Sequence, residues 1–155
     1  MKNVLLIIML LIAVNSVKAQ DETAKRKKHY NVSKSSLALE GYDVVSYFTL
    51  TKPVKGESKY STFYQGVVYY FSSQANLSTF KANPSKYEPA YGGWCAYAMG
   101  AKGTKVEVDV KNYKIKNGRL FLFYKDFFSN TLDDWNDDET NLKAKADKNW
   151  QITYK

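Results

Sequence analysis

The sequence predicts an α+β domain, in which helices pack against a small antiparallel sheet. Two segments, 59–71 and 113–124, have the β-branched and aromatic composition of hairpin strands around a central turn. From Asn130 onwards, apolar residues recur at the spacing of one face of a helix. A chain of 155 residues has the length of a single domain.

The chain divides into three parts. An apolar run over 4–14 and the small-residue site Val17-Lys18-Ala19 predict that 1–19 is a signal peptide. The run is too short to span a bilayer, so we expect export to the periplasm or the extracellular space and no membrane insertion after cleavage. Residues 20–36 are polar and basic, which predicts a flexible linker, and 37–155 form the domain.

The chain is basic, with a formal net charge of +8, and part of this charge lies in Lys25-Arg26-Lys27-Lys28-His29. Such a run can contact nucleic acid or an anionic membrane surface, but in an exported protein it is more typical of a solvated arm. We therefore expect no nucleic-acid partner. Cys95 is the single cysteine, so stability must come from the apolar core rather than from an internal disulfide.

The domain is predicted to begin with an extended segment. Residues 43–48 are rich in β-branched and aromatic side chains, which favours a strand. The proline and glycine of 51–57 end this segment. The first hairpin follows, with strands over 59–64 and 67–71 joined by Gln65-Gly66.

A helix is predicted after this hairpin. The hydroxyl of Ser72 or Ser73 can accept hydrogen bonds from the free N–H groups of its first turn. Leu77 and Phe80 lie three residues apart, on one face. Pro84 then ends the helix.

A second strand region is predicted after Gly92-Gly93 and is followed by a helix. Residues 106–110 alternate valine with acidic residues, as in a half-buried strand. Strands over 113–116 and 120–124 flank Asn117-Gly118, a dipeptide that tolerates the positive φ angles of a two-residue turn. The C-terminal helix is predicted to carry its apolar residues on one face: Leu132, Trp135, Leu142, Ala146 and Trp150.

Two groups of residues carry a resemblance to a known family. The first is Tyr64-x-Gly66-x-x-Tyr69-Tyr70-Phe71-Ser72-Ser73, followed by Phe80-x-x-x-Pro84-x-x-Tyr87, and it resembles the YHS domain. The second is Gly41-Tyr42-Asp43-Val44-Val45-Ser46-Tyr47-Phe48 with Tyr91-Gly92-Gly93-Trp94-Cys95-Ala96, which resembles the exported, stand-alone branch of that family. The resemblance extends from Leu39 to Trp150 and implies a small α+β fold that is often linked to heavy metals.

The resemblance also implies where a metal would bind. Short YHS modules attached to copper-transporting ATPases carry cysteines at positions that correspond here to Ser46, Ser72 and Asn76. Serine and amide oxygens are poor ligands for Cu(I) or Zn(II). We therefore expect the usual metal site of these modules to be absent from this chain.

The stretch from Tyr87 to Met99 is the leading candidate for a functional site. If Cys95–Met99 is helical, its two sulfur atoms lie at i and i+4 on one face. Thiolate and thioether are ligands that Cu(I) favours. Cys95 and Met99 are therefore predicted as metal ligands, with copper as the cofactor, and the alternative is a buried structural thiol beside a core methionine.

Five further residues are predicted to line a ligand site: Asp43, Tyr91, Gly92, Gly93 and Trp94. The glycines let backbone approach a bound group closely, and the rings can stack on a flat ligand. The carboxylate of Asp43 can serve as a ligand or an acceptor, and the alternative is that it holds a turn.

These residues predict an exported, non-enzymatic protein that binds a metal ion or a small ligand around Cys95. A second hypothesis is a module that presents its aromatic surface to another exported protein. A third is redox or covalent chemistry at Cys95. A Cys–His enzyme is not expected, because the only histidine, His29, lies in the predicted linker.

Overall fold

A computed structural model describes residues 20–155, and the predicted signal peptide, 1–19, lies outside the described residues. The helices are α1 (20–29), α2 (Ser46–Thr49), α3 (Gln74–Ala82), α4 (Pro84–Tyr87), α5 (Ala96–Lys102), α6 (Thr131–Asp137) and α7 (Glu139–Thr153). The strands are β1 (Glu57–Tyr64), β2 (Val67–Phe71), β3 (Asp109–Lys116) and β4 (Arg119–Phe123). The predicted α+β class is confirmed. Within 20–155, no helix combines the length and apolar character that a membrane span requires.

Both predicted hairpins are present, but they do not form one sheet. β1 pairs only with β2, and β3 only with β4, so the described residues contain two separate antiparallel pairs. In the first turn φ is 44° at Gln65 and 91° at Gly66, and in the second it is 51° at Asn117 and 73° at Gly118. These left-handed conformations explain the glycine at the second position of each turn.

β4 is buried on both faces and connects the two halves of the core. Because successive side chains of a strand point to opposite faces, Leu120 and Leu122 enter one buried cluster, while Phe121 and Phe123 enter the other. The strand therefore has an uninterrupted apolar run instead of an alternating one.

The first cluster lies between the first hairpin and α3. The rings of Phe71 and Phe80 are fully buried with centroids 5.2 Å apart. Leu77 is buried on the same face of α3, as predicted. Ser73 caps this helix, since its Oγ accepts the N–H of Asn76 at 3.1 Å.

The second cluster lies between β4 and the helices α5, α6 and α7. Met99, Trp135 and Ala146 are fully buried there. α5 and α7 approach closely at Gly100, where an added Cβ would lie 2.5 Å from the carbonyl oxygen of Leu142. The absence of a side chain at position 100 therefore sets the distance between these helices.

The strand predicted over 43–48 is not formed. Oδ1 of Asp43 accepts the N–H of Val45 at 2.9 Å and turns the chain into α2. A local side-chain hydrogen bond thus overrides the β propensity of this segment.

Two other element boundaries differ from the predictions. β3 begins at Asp109, so 106–108 precede the strand instead of forming it. The predicted C-terminal helix is interrupted at Asp138, where φ is −144°, and becomes α6 and α7. The apolar residues still face the core, because the interruption preserves the side on which the two helices pack.

The first part of the predicted flexible linker is a helix that packs against the body of the protein. Arg26 of α1 is only 1% exposed. Its Nη1 donates to Oε1 of Gln65 at 2.6 Å, and its guanidinium lies 4.6 Å from the centroid of the Tyr30 ring. The expectation of a loose arm is therefore wrong for 20–29. The basic composition of this segment did not show that the side chain of Arg26 is buried.

Candidate functional site

Cys95 precedes the first turn of α5 and is fully buried. Its Sγ accepts the backbone N–H of Tyr124 at 3.4 Å and lies 3.4 Å from Oγ1 of Thr131. These two partners stand at the ends of the loop between β4 and α6. The thiol therefore connects α5 to this loop and has the environment of a structural cysteine.

Met99 lies one helical turn after Cys95, as predicted, and its N–H donates to the carbonyl of Cys95 at 3.0 Å. Its thioether is shielded from solvent in the same apolar cluster as Phe121, Phe123 and Trp135. Among residues 20–155, no group of three or more His, Cys, Asp or Glu side chains is placed to hold a metal. Because a metal site needs further donors and a route of entry, these two residues do not fit a preformed copper site.

Asp43 is fully buried, and its carboxylate accepts five hydrogen bonds. Oδ1 accepts the N–H of Val45 at 2.9 Å and that of Ser46 at 3.4 Å. Oδ2 accepts the N–H and the hydroxyl of Ser72 at 2.8 and 2.7 Å, and Nδ2 of Asn76 at 2.7 Å. This number of donors offsets the desolvation of a buried charge.

The three positions that correspond to the family's cysteines surround this carboxylate. Ser72 and Asn76 contact it directly, while Oγ of Ser46 donates to the Asp43 carbonyl at 2.6 Å and accepts the N–H of Val54 at 3.1 Å. A hydrogen-bond network thus occupies the place where the resemblance puts metal ligands. Because the donors are hydroxyl and amide groups that already have partners, they do not fit a soft metal.

The Gly92-Gly93 turn is left-handed over three successive residues, with φ of 56° at Tyr91, 62° at Gly92 and 89° at Gly93. A Cβ at Gly92 would lie 2.8 Å from Cδ1 of Tyr30 and 3.0 Å from Cη2 of Trp150. Glycine is needed here because the chain's own rings approach its backbone.

A cleft of about 260 Å³ opens beside this turn. It lies between the N-terminal segment, the glycine turn, the turn of the second hairpin and α7. The residues that line it include Tyr30, Lys86, Glu88, Tyr91, Gly92, Gly118, Arg119 and Trp150.

Three aromatic rings line the cleft. The centroid of Trp150 lies 6.1 Å from that of Tyr30 and 6.5 Å from that of Tyr91. Tyr154 stacks on Trp150 with a centroid distance of 5.3 Å. This support fixes the indole, so the cleft offers a preformed surface to a planar group.

A charged network holds Arg119 at the rim of the cleft. Oδ1 of Asp147 accepts Nη2 of Arg119 at 2.9 Å and the hydroxyl of Tyr91 at 3.0 Å, while Oδ2 accepts Nζ of Lys143 at 3.1 Å. Burial raises the pKa of Asp147, but the hydrogen bonds from Arg119, Lys143 and Tyr91 outweigh this effect and hold the pKa below its ordinary value. Burial, reinforced by the charge of Asp147, raises the pKa of Tyr91, so its hydroxyl keeps the proton that it donates.

The acidic residue of the cleft is paired within the protein. Glu88 forms an ion pair with the buried Arg26 and also accepts the hydroxyl of Tyr69. Lys86 also lines the cleft, and its Nζ lies 5.2 Å from the centroid of the Tyr87 ring. With Glu88 paired to Arg26 and Arg119 paired to Asp147, Lys86 supplies the remaining positive charge of the cleft lining.

The structure separates the residues predicted to line one site. Tyr91 and Gly92 line the cleft, whereas Gly93 faces a different cavity of about 230 Å³. Nε1 of Trp94 donates to the carbonyl of His29 at 2.7 Å. Asp43, Cys95 and Met99 line neither cavity.

Sequence reasoning missed Tyr30, Arg119 and Trp150 as cleft residues. Trp150 was recognised only as part of an apolar helix face, and Tyr30 lay in the predicted linker. The spacing of four residues from Glu22 to Arg26 and from Arg26 to Tyr30 was the available signal that 20–29 is a helix with a structured face.

Comparison with known proteins places the family match in the first half of the described chain. The family model of the YHS domain, a domain associated with possible metal binding, matches residues 45–91. The resemblance to this domain is thereby confirmed over a segment that runs from the residue before α2 to the glycine turn. No curated protein and no solved structure matches the chain at a significant level.

Proposed function

We propose that this protein is an exported, non-enzymatic binding protein whose ligand is a small planar molecule with an anionic group. The site is the cleft beside Gly92 instead of the sulfur of Cys95. The single observation that carries this proposal is the composition of the cleft, which is lined by both aromatic rings and the cationic side chains of Lys86 and Arg119.

The volume and the chemistry of the cleft define the ligand class. Pockets for drug-sized ligands span roughly 300–1,000 Å³, so about 260 Å³ suits a molecule with one or two rings. The ring of such a ligand can lie against Tyr30 and Trp150. Its carboxylate or phosphate would receive charge-assisted hydrogen bonds from Arg119 or Lys86.

The groups around the cleft support binding without catalysis. Ser85 contributes the aliphatic hydroxyl of the lining, and its Oγ donates to Oδ1 of Asn83 at 3.1 Å instead of to a base. Glu88 is engaged by Arg26. A nucleophile needs an adjacent proton acceptor to become reactive, and this arrangement supplies none to Ser85.

Titration with benzoate and with indole-3-carboxylate, followed by ¹H–¹⁵N NMR, tests the proposal. We expect saturable shifts of the backbone amides of Gly92, Gly118 and Arg119. The Arg119→Gln variant should bind at least about tenfold more weakly, because it loses a charge-assisted contact.

The Trp94→Leu variant is a matched control for Trp150→Leu. Both variants remove an indole, but Trp94 is outside the cleft. We expect binding to weaken only in Trp150→Leu. The proposal would be contradicted if neither probe shifted the cleft amides at millimolar concentration. Equal losses of binding in the two tryptophan variants would also contradict it.

Copper binding at Cys95 and Met99 is the competing proposal. The metal association of the YHS domain supports it, and the burial of both sulfur atoms counts against it. Anaerobic Cu(I) titration of the wild type and of Cys95→Ala separates the two proposals. Tight binding that depends on Cys95 would favour copper, and equal or absent binding in both proteins would exclude that site.

A further inference from the structure

The negative charge of the cleft lining is offset by a residue that lies outside the lining. Glu88 follows α4, lines the cleft and has a side chain that is 14% exposed. Arg26 of α1, which is 1% exposed, donates its Nη2 to Oε1 of Glu88. The hydroxyl of Tyr69 donates to the same oxygen. The charge of a cleft carboxylate is therefore offset by a buried cation from another part of the chain.

The other oxygen of this carboxylate stays accessible. Among residues 20–155, Oε2 of Glu88 has no hydrogen-bond partner, whereas Nε of Arg26 is the only buried side-chain nitrogen or oxygen without one. Oε2 is therefore not a buried atom. Loss of the guanidinium would leave an uncompensated negative charge and an accessible oxygen at the lining of the cleft.

Few positive charges of the cleft could compensate for that carboxylate. Arg119 and Lys143 share the carboxylate of Asp147, with N–O distances of 2.9 and 3.1 Å. Lys86 is exposed and supplies the remaining positive charge of the lining. Without its partner, Glu88 would repel an anionic ligand and compete with it for these cations. The charge preference of the cleft therefore depends on the neutralisation of Glu88.

The aromatic rings of the cleft do not by themselves favour an anion. The faces of Tyr30, Tyr91 and Trp150 attract cations, and the guanidinium of Arg26 already lies 4.6 Å from the centroid of the Tyr30 ring. A space of about 260 Å³ is small enough to keep a ligand charge within the screening length of Glu88, which is roughly 8 Å at physiological salt. Rings beside an unpaired carboxylate would suit an aromatic cation.

We propose that Arg26 is the residue that sets the charge preference of the cleft. By holding Glu88 in an ion pair, it lets the cleft accept a planar anion, and its loss shifts the preference towards a planar cation. Arg26 does not line the cleft, so it acts through Glu88 as a positioning residue. This inference rests on the proposed function and names the determinant of its ligand class.

Two probes of similar shape and opposite charge, benzoate and benzamidine, test this inference by NMR titration at constant ionic strength. The measured quantity is the ratio of the association constant of benzoate to that of benzamidine. We expect this ratio to fall at least about tenfold in Arg26→Gln, because benzoate binds more weakly and benzamidine more tightly beside an unpaired carboxylate. The double variant Arg26→Gln/Glu88→Gln removes both charges and should restore the ratio to within about threefold of the wild type.

Two further variants separate charge from structure. Lys28→Gln removes a positive charge from an exposed position of the same helix and should leave the ratio unchanged. Arg26→Lys keeps the charge and should keep the preference for benzoate, which preserves a test if Arg26→Gln does not fold. The thermal midpoint of every variant is measured, and the titrations are made at a temperature at which each titrated variant is folded.

The outcomes distinguish this inference from the proposed function. A wild type that binds neither probe, or prefers benzamidine, would overturn both. A wild type that prefers benzoate, together with an unchanged ratio in Arg26→Gln or no recovery in the double variant, would overturn this inference alone. Loss of the benzoate preference in Arg26→Lys would also overturn it, because the charge at position 26 is retained.

Discussion

The guanidinium of Arg26 in α1 forms a buried ion pair with the carboxylate of Glu88, 62 positions further along the chain. The pair joins a segment with the composition of a linker to the end of the family match. It also neutralises the acidic side chain of the cleft. One contact therefore connects the folding of the N-terminal segment to the electrostatics of the candidate site.

We predict that Arg26→Ala lowers the free energy of unfolding by about 3 kcal/mol, because Glu88 is left partly buried without its partner. Urea unfolding measures this loss. Lys28→Ala, at an exposed position of the same helix, is the control and should change stability by less than about 0.5 kcal/mol. Similar losses in the two variants would show that the ion pair is not what holds α1.

The Asp43 network yields a second stability prediction. Asp43→Asn replaces an acceptor oxygen by an amide group that cannot accept hydrogen bonds from Ser72 and Asn76. Because bonds to a charged group contribute more than neutral ones, we expect a loss of about 3 kcal/mol in chemical unfolding. Asp134→Asn changes an exposed carboxylate in the same way and should be nearly neutral, so comparable effects would argue against the network.

The triple variant Ser46→Cys/Ser72→Cys/Asn76→Cys tests whether these positions converge as the resemblance implies. Three thiolates beside Asp43 would form a soft-metal site. We expect Co(II) to give intense thiolate charge-transfer absorption with this variant and none with the wild type. A folded triple variant without that absorption would show that the three side chains are too far apart to share a metal.

The buried environment of Cys95 predicts that its thiol is modified slowly in the native state. Iodoacetamide should modify this thiol at least about 100-fold more slowly in buffer than in urea, because reaction requires an opening of the core. Ser129→Cys in a Cys95→Ala background places a thiol on the exposed loop between β4 and α6 and should react at the same rate in both solvents. Rapid modification of Cys95 in buffer would show that the thiol is accessible and would support a ligand site at Cys95.

The hydrogen bonds to Asp147 predict a contribution to acid stability. A carboxyl group whose folded pKa is lowered binds fewer protons in the folded state than in the unfolded state, so it stabilises the protein at higher pH. This contribution is complete above the ordinary aspartate pKa of about 4 and is lost as the pH falls through the folded value. Asp147→Asn should therefore be less stable at pH 7 and should lose less stability on acidification.

Urea unfolding of Asp147→Asn at several pH values between about 2 and 7 measures this difference. The control is Asp137→Asn, in which an exposed carboxylate is removed at the end of α6. Its stability should follow the pH profile of the wild type. An unchanged acid profile for Asp147→Asn would show that the contacts with Arg119 and Lys143 do not stabilise the fold.

The sequence alone determined the features that depend on neighbours along the chain. Gln65-Gly66 and Asn117-Gly118 predicted both hairpins, because their positive φ angles are set within the turn itself. Ser72-Ser73 predicted the start of α3 for the same reason, because a cap hydroxyl bonds to a backbone group three residues away, and the structure places the cap at Ser73. The YHS resemblance also came from local spacing, and the family match confirms it over 45–91.

Only the tertiary structure decided which chemical groups meet. Arg26 looked like one cation of a solvated run, yet the partner that makes its burial favourable lies far away in the chain. Gly92 was predicted to let a ligand approach the backbone closely, yet the rings of Tyr30 and Trp150 occupy the space next to it. A linear pattern reports the direction of side chains on one element, whereas burial and pairing depend on how separate elements pack, and this is why the candidate site lies beside the predicted stretch instead of at its cysteine.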